Sequence, residues 1–171
     1  MAPLTDTFDL GTLRLASGEA AHADLEVASD PLAFGGQTYA LPGNRVAVRL
    51  DVSRTTGAGF ALRLRYAAHL GGVCMRCLEE ADAVVEVDAR EVDQPGGGDD
   101  LESPYLEGQE LNLRAWTHDA LALALPTQIL CRDDCAGLCV KCGENLNRNP
   151  DHEHEPEPDP RWAKLSELKL D

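Results

Sequence analysis

At 171 residues the chain is long enough for one domain with a small appended module, and for an apolar core of its own. Aromatic residues make up 5% of it, so that core must be built mainly from Leu, Val and Ala. The formal net charge of −15 repels phosphate backbones and disfavours broad, non-specific nucleic-acid binding, while leaving room for a local basic face.

The opening Met-Ala-Pro-Leu-Thr-Asp lacks a basic n-region and an apolar h-region, and no run of residues reaches the length of a membrane span. The expectation is a cytoplasmic protein with no membrane partner. Thiols are kept reduced there, so clustered cysteines read as metal ligands before they read as disulfides. Residues 1–42 are cut into short pieces by Pro31, Gly35-Gly36 and Pro42-Gly43, with one candidate strand from Ala23 to Val27.

The pattern then sharpens. Val46, Val48, Leu50 and Val52 alternate with Ala47, Arg49, Asp51 and Ser53, and Phe60, Leu62, Leu64 and Tyr66 alternate with Ala61, Arg63 and Arg65. Period two predicts two half-buried strands, with the turn at Thr55 to Gly59. A third strand fits Ala83, Val85 and Val87, which places Cys74 and Cys77 in the connection between two strands. Residues 91–108 are acidic and rich in Gly and Pro, too poor in apolar surface to order themselves, and are expected as a mobile acidic loop.

Asn112 to Leu125 has a helical repeat, with Leu113, Trp116, Ala120, Leu123 and Ala124 near one face and Pro126 as its stop. After a second cysteine cluster, Asp159-Pro160 reads as the N-cap and N1 of a short helix through Trp162, Leu165 and Leu168. The expected fold class is α+β: a small antiparallel β-sheet with a central helix, a zinc-knuckle cysteine cluster and a short C-terminal helix. Residues 1–150 are expected as a single domain holding both cysteine clusters, with 151–171 as a polar tail carrying the last helix.

The six cysteines are Cys74, Cys77, Cys131, Cys135, Cys139 and Cys142. Two pairs have the C-x2-C form, in which a tight turn aims both sulfurs at one ion and its amides can hydrogen-bond the thiolates. Gly143 relieves crowding at the second such turn. Zinc takes four soft ligands in a tetrahedron, so six cysteines make one site with two left over, or two sites if other residues help. His152 and His154 could be that help. The preferred partition is Cys74, Cys77, Cys131 and Cys135 in one site, and Cys139, Cys142, His152 and His154 in the other. A single all-thiolate site from Cys131, Cys135, Cys139 and Cys142, or a ribbon pairing Cys74 and Cys77 with Cys139 and Cys142, remains open at this level. Protein ligands suffice to close the coordination shell, and no H-E-x-x-H or similar general-base motif is present, so neither an enzyme nor a small-molecule substrate is expected.

The second cluster carries more than spacing. Leu121-Ala-Leu-Ala-Leu-Pro126, Leu130-Cys-Arg-Asp-Asp-Cys135, Gly137-Leu-Cys-Val-Lys-Cys-Gly143, Leu146-Asn147 and Asp159-Pro-Arg-Trp-Ala-Lys-Leu follow the upstream Cys74-x-x-Cys77-Leu78. In this order they closely resemble the YceD family, the large ribosomal RNA subunit accumulation proteins, from about Val46 to the end. The resemblance implies a non-enzymatic bacterial protein needed for accumulation of 23S ribosomal RNA, and so for large-subunit biogenesis, with cysteines that hold one or two zinc ions. Many relatives carry two further cysteines after the Leu-Asn step, where this chain has Asp151 to His154; a second site survives if the two histidines replace them.

Arg49, Arg63, Arg65 and Arg76 are the candidate RNA contacts, since Arg63 and Arg65 share one face of their strand beside the first knuckle. The competing reading is a solvated sheet face whose arginines pair with Asp and Glu, and the lack of interleaved aromatics favours it. Partners are thus 23S rRNA, or, for an acidic adaptor, a basic ribosomal protein. A thiol- or zinc-based redox sensor is the third reading.

Overall fold

The computed structural model describes residues 4–98 and 101–154. The expected C-terminal helix, from Asp159 onward, lies outside the described residues. The chain forms two compact units, Met1–Cys135 and Ala136–Asp171. Sequence reading grouped residues 1–150; by compactness the boundary falls after Cys135, so each unit holds one cysteine cluster.

The strands of the first unit are β1 (Thr7–Asp9), β2 (Ala20–Ala28), β3 (Leu32–Phe34), β4 (Gln37–Tyr39), β5 (Arg45–Arg54), β6 (Phe60–Val73), β7 (Glu80–Asp93), β8 (Leu106–Glu107) and β9 (Glu110–Asn112); its helix is α1 (Leu113–Ala124). An antiparallel four-stranded sheet runs in the order β2-β5-β6-β7. A small sheet, β1-β9-β8, and the hairpin β3-β4 complete it. The protein is thus made mostly of antiparallel sheet, with α1 as the one helix longer than a 3-10 turn among the described residues.

Alternation in the sequence sets the faces of the main sheet. Val48, Leu50, Val52, Leu62, Leu64, Ala68 and Leu70 are at most 3% exposed, while Arg49, Asp51, Arg63 and Arg65 between them stand on the other face. The buried face is covered by α1, which contacts β2 and β7, and the Tyr66 hydroxyl donates to the backbone carbonyl of Thr117 at 2.5 Å. Asn112 caps α1 by accepting from the Ala115 amide at 3.0 Å, and Leu125, held extended ahead of Pro126, ends it. Leu113, Trp116, Thr117, Ala120 and Leu121 are its buried face. Leu123, expected on that face, is 88% exposed in the last turn.

Two strands run well past their sequence signals. β6 continues from Tyr66 to Val73 and β7 reaches from Glu80 to Asp93, because each is the other's partner over the full length, from Phe60 opposite Asp93 to Val73 opposite Glu80. The expected loop 91–108 is corrected accordingly. Glu91 to Asp93 are strand, Leu106–Glu107 pairs with β9, and between them the Gln94 amide donates to the Leu101 carbonyl at 2.7 Å and the Ser103 amide to the Asp93 carboxylate at 3.2 Å. Cross-strand pairing supplies the order that composition alone does not.

Because Trp116 is 2% exposed in the layer between helix and sheet, Trp116→Ala should lower unfolding free energy by about 3–5 kcal/mol. Leu123→Ala should change it by less than about 0.5 kcal/mol, as expected of a surface position. Urea titrations of the two variants against the parent protein check both.

Candidate metal centres

The first centre sits at the end of the long β6–β7 hairpin. Val73 ends one strand, Glu80 begins the other, and Cys74 to Cys77 form the turn. The Cys74 amide donates to the Glu79 carbonyl at 2.7 Å and the Leu78 amide to the Cys74 carbonyl at 3.0 Å. The Met75 amide donates to the Ile129 carbonyl at 2.9 Å, which ties the turn to the stretch leading into Cys131 and Cys135. Arg76 donates from its guanidinium to the Cys135 carbonyl at 3.1 Å. Cys74 and Cys135 then stand 3.8 Å apart, sulfur to sulfur, and Cys77 and Cys131 3.6 Å apart, all as free thiols. Three of the four are buried.

The thiols are not equivalent. Burial pushes the Cys74 thiol up, but the amides of Cys77, Cys131 and Arg76 act against it together and bring it down to about 6. Cys131 is pushed up to about 12 by burial and then by its three sulfur neighbours. Cys77 also lies above its ordinary value: the Glu79 amide lowers it, but burial and the thiols of Cys74 and Cys135 outweigh that. Four sulfurs so close cannot all ionise without a cation among them.

The second centre lies wholly in the second unit. The Cys139 amide donates to the Glu144 carbonyl and the Gly143 amide to the Cys139 carbonyl, both at 2.8 Å. Cys142 Sγ is 3.1 Å from His152 Nε2, Cys139 Sγ is 3.2 Å from His154 Nε2, and the two Nε2 atoms are 3.0 Å apart. Amides of Cys142 and Lys141 hold the Cys139 thiol down to about 6. The Ala136 amide donates to the Asn147 side chain at 2.8 Å, and the His152 amide to the Asn149 carbonyl at 3.2 Å, which fixes where the histidines leave the chain.

In each centre the four donor atoms lie within 4.8 Å of one another, so each group could hold a metal ion. By proximity the groups are Cys74, Cys77, Cys131 and Cys135, and Cys139, Cys142, His152 and His154. The candidate RNA contacts fare differently. Arg63 makes two bonds to Asp88, at 2.7 and 2.6 Å, Arg65 bonds Asp51 at 2.6 Å, Arg49 lies 3.7 Å from Asp51, and Arg76 serves the first centre.

Sequence reading missed two residues around the first centre. The Tyr39 hydroxyl donates to the Val73 carbonyl at 2.9 Å, bracing the strand end from the β3-β4 hairpin, and burial followed by the nearby Cys74 raises its pKa. Leu78 takes φ +60° at the position that Gly143, at φ +77°, fills in the second turn. The repeated signal was present: Cys-x2-Cys-Leu78-Glu79 against Cys-x2-Cys-Gly143-Glu144, with the same two backbone bonds.

A family model described as "Large ribosomal RNA subunit accumulation protein YceD" matches residues 62–169, more than half of the 171-residue chain. The chain belongs to the YceD family. The matched span takes in both cysteine groups, the histidine pair and α1. Uncharacterized proteins of Mycobacterium bovis and Mycobacterium tuberculosis are 38% identical over 108 residues, which is 60% of this chain and 52% of theirs. One from Mycobacterium leprae is 31% identical over 102 residues, 56% of this chain and 46% of its own. The chain thus spans about half the length of the curated relatives it matches. No solved structure matches it. Among the described residues no helix is long and apolar enough to cross a membrane.

The two turns differ in strain. A non-glycine residue in the left-handed region costs about 1–2 kcal/mol, so Gly143→Leu should destabilise the second unit by about that much. Leu78→Gly should leave the first unit as stable or slightly more so, since relief of strain is offset by about 0.5–1 kcal/mol of added chain entropy. Amide hydrogen exchange read separately over 74–79 and 139–144 distinguishes the two effects.

Proposed function

We propose that this protein is a non-enzymatic, zinc-stabilised cytoplasmic factor for accumulation of 23S ribosomal RNA, and hence for assembly of the large ribosomal subunit. The observation that carries this reading is the YceD family match across residues 62–169, whose description names the large ribosomal RNA subunit. Zinc is supported by the chemistry and spacing of the donors. Tetrahedral zinc with Zn–S bonds of about 2.3 Å sets neighbouring sulfurs roughly 3.8 Å apart, and the pairs of the first centre are at 3.8 and 3.6 Å. With Zn–N of about 2.0–2.1 Å the mixed site calls for roughly 3.5 Å from sulfur to nitrogen and 3.3 Å between nitrogens; the observed 3.0–3.2 Å is within about half an ångström of this.

Cys74, Cys77, Cys131 and Cys135 would hold one ion, and Cys139, Cys142, His152 and His154 a second. Four protein donors at each centre complete a tetrahedral shell and leave no position for water or substrate, which supports a structural metal over a catalytic one. A bound ion would supply the cation that lets four crowded donors share one place, so metal affinity and local stability are coupled.

The act performed for the ribosomal RNA is best read as protein contact. The sheet-face arginines Arg49, Arg63 and Arg65 each have a carboxylate within 4 Å, which favours the acidic adaptor over a basic RNA-binding strip. A basic ribosomal protein is the partner this charge distribution suits best.

Native mass spectrometry of freshly purified protein should count two zinc ions per chain. His154→Ala and Cys142→Ser should each leave one, and Cys74→Ser should leave one while lowering the thermal midpoint of the first unit. A fully folded, metal-free parent protein would sink the zinc assignment. In cells depleted of the protein, 23S should fall relative to 16S RNA and recover with the wild-type gene; an unchanged ratio would remove the ribosomal role.

A further inference from the structure

β7 is an edge strand with an unusual setting. Over Glu80–Asp93 it pairs with β6 and with no other strand among the described residues. Such an edge presents a row of backbone donors and acceptors that another extended chain can use. Beside it, between β7 and α1, runs a groove of about 330 Å³ lined by Val87, Glu91, Tyr105, Trp116, Ala120 and Leu123. Tyr105 and Trp116 are stacked with ring centroids 6.1 Å apart and form its aromatic wall, while Leu123 stands 88% exposed at its mouth.

The outer face of the same strand is acidic. Glu80, Asp82, Glu86 and Asp88 point that way beside Val84, Val92 and the strand's single cation, Arg90; Asp88 is paired with Arg63, while Asp82 and Glu86 enter no ion pair among the described residues. A second copy of the chain would set these carboxylates against their own kind, and an RNA strand would bring phosphate to them.

We propose that the β7 edge captures an extended polypeptide segment in which basic and apolar residues alternate. Strand addition dictates the alternation. Every other side chain of an added strand points to the same face as Val87 and Ala89, toward the part of the groove walled by Tyr105, Trp116 and Leu123, and the ones between point to the face of Asp82 and Glu86. Apolar residues fill the first set of positions, and lysine or arginine the second. This inference deepens the adaptor reading above by giving the partner's chemistry, and it rests on that reading for its biological meaning. Its binding test requires no ribosomal RNA, so the two can fail separately.

The probe is a short fluorescein-labelled peptide of alternating lysine and valine, titrated into the full-length, zinc-replete protein and followed by anisotropy. Binding should slow amide exchange over 80–92. Methylating alternate backbone nitrogens of the peptide should weaken it at least about tenfold by removing strand hydrogen bonds. D82K/E86K and L123S, all at exposed positions, should each weaken it by about tenfold without shifting the melting temperature. Equal binding of the methylated peptide would overturn the proposal, because charge attraction alone would then suffice. So would absence of binding, whatever covers the edge.

Discussion

Four thiols meeting at one end of a hairpin is the constraint around which the first unit is organised. Cys74 and Cys135 are separated by 61 residues and Cys77 and Cys131 by 54, yet their sulfurs approach to 3.8 and 3.6 Å. Closing such loops costs chain entropy, and burying several ionisable sulfurs side by side costs solvation. Backbone amides offset part of the second cost by holding the Cys74 thiol near 6, while Cys77 and Cys131 are pushed up. The rest is what a bound cation would supply. Everything between those cysteines is held within the same closure: β7, the acidic connection after it, β8, β9 and α1.

The second unit solves the same local problem with less surrounding structure. Its turn repeats the two backbone bonds of the first, but its remaining donors are histidines ten and fifteen residues onward from their sulfur partners. Short loops and exposed ligands make a centre whose order rests on few contacts besides its donors. The first centre is embedded at the end of a sheet and braced by the Tyr39 hydroxyl. If both hold zinc, the first has more structure at stake in its loss.

Charge works at two ranges. Across the net −15 of the chain, long-range repulsion acts against nucleic acid. Within the sheet face, single arginines are matched to single aspartates, as Arg63 is to Asp88 and Arg65 to Asp51, so a strip that looks basic along one strand is neutralised across strands. On the outer face of β7, Glu80, Asp82 and Glu86 enter no such ion pair among the described residues. That arrangement also guards an exposed edge against pairing with copies of itself.

Much of this was legible in the sequence, for local physical reasons. Period-two alternation gave β5 and the first half of β6; a 3.6-residue repeat closed by Asn112 and Pro126 gave α1; spacing gave the knuckles. Where a signal depended on a distant partner, it was lost. The reading of β6 ended at Tyr66, whereas the strand runs on to Val73 through pairing with β7, passing Gly72, which lies under the Tyr39 ring where a Cβ would overlap it. The acidic segment hid the end of β7, whose inward Asp93 is buried and takes the Ser103 amide. By itself the sequence determined the residue types able to bind metal, the turns that carry two of the pairs, and the apolar faces, because these follow from neighbours a few positions apart. Only the tertiary structure decided which cysteines share a centre, which arginines are already paired, and which strand edge is left over. Those depend on segments that meet after some sixty residues of intervening chain, as Cys74 and Cys135 do.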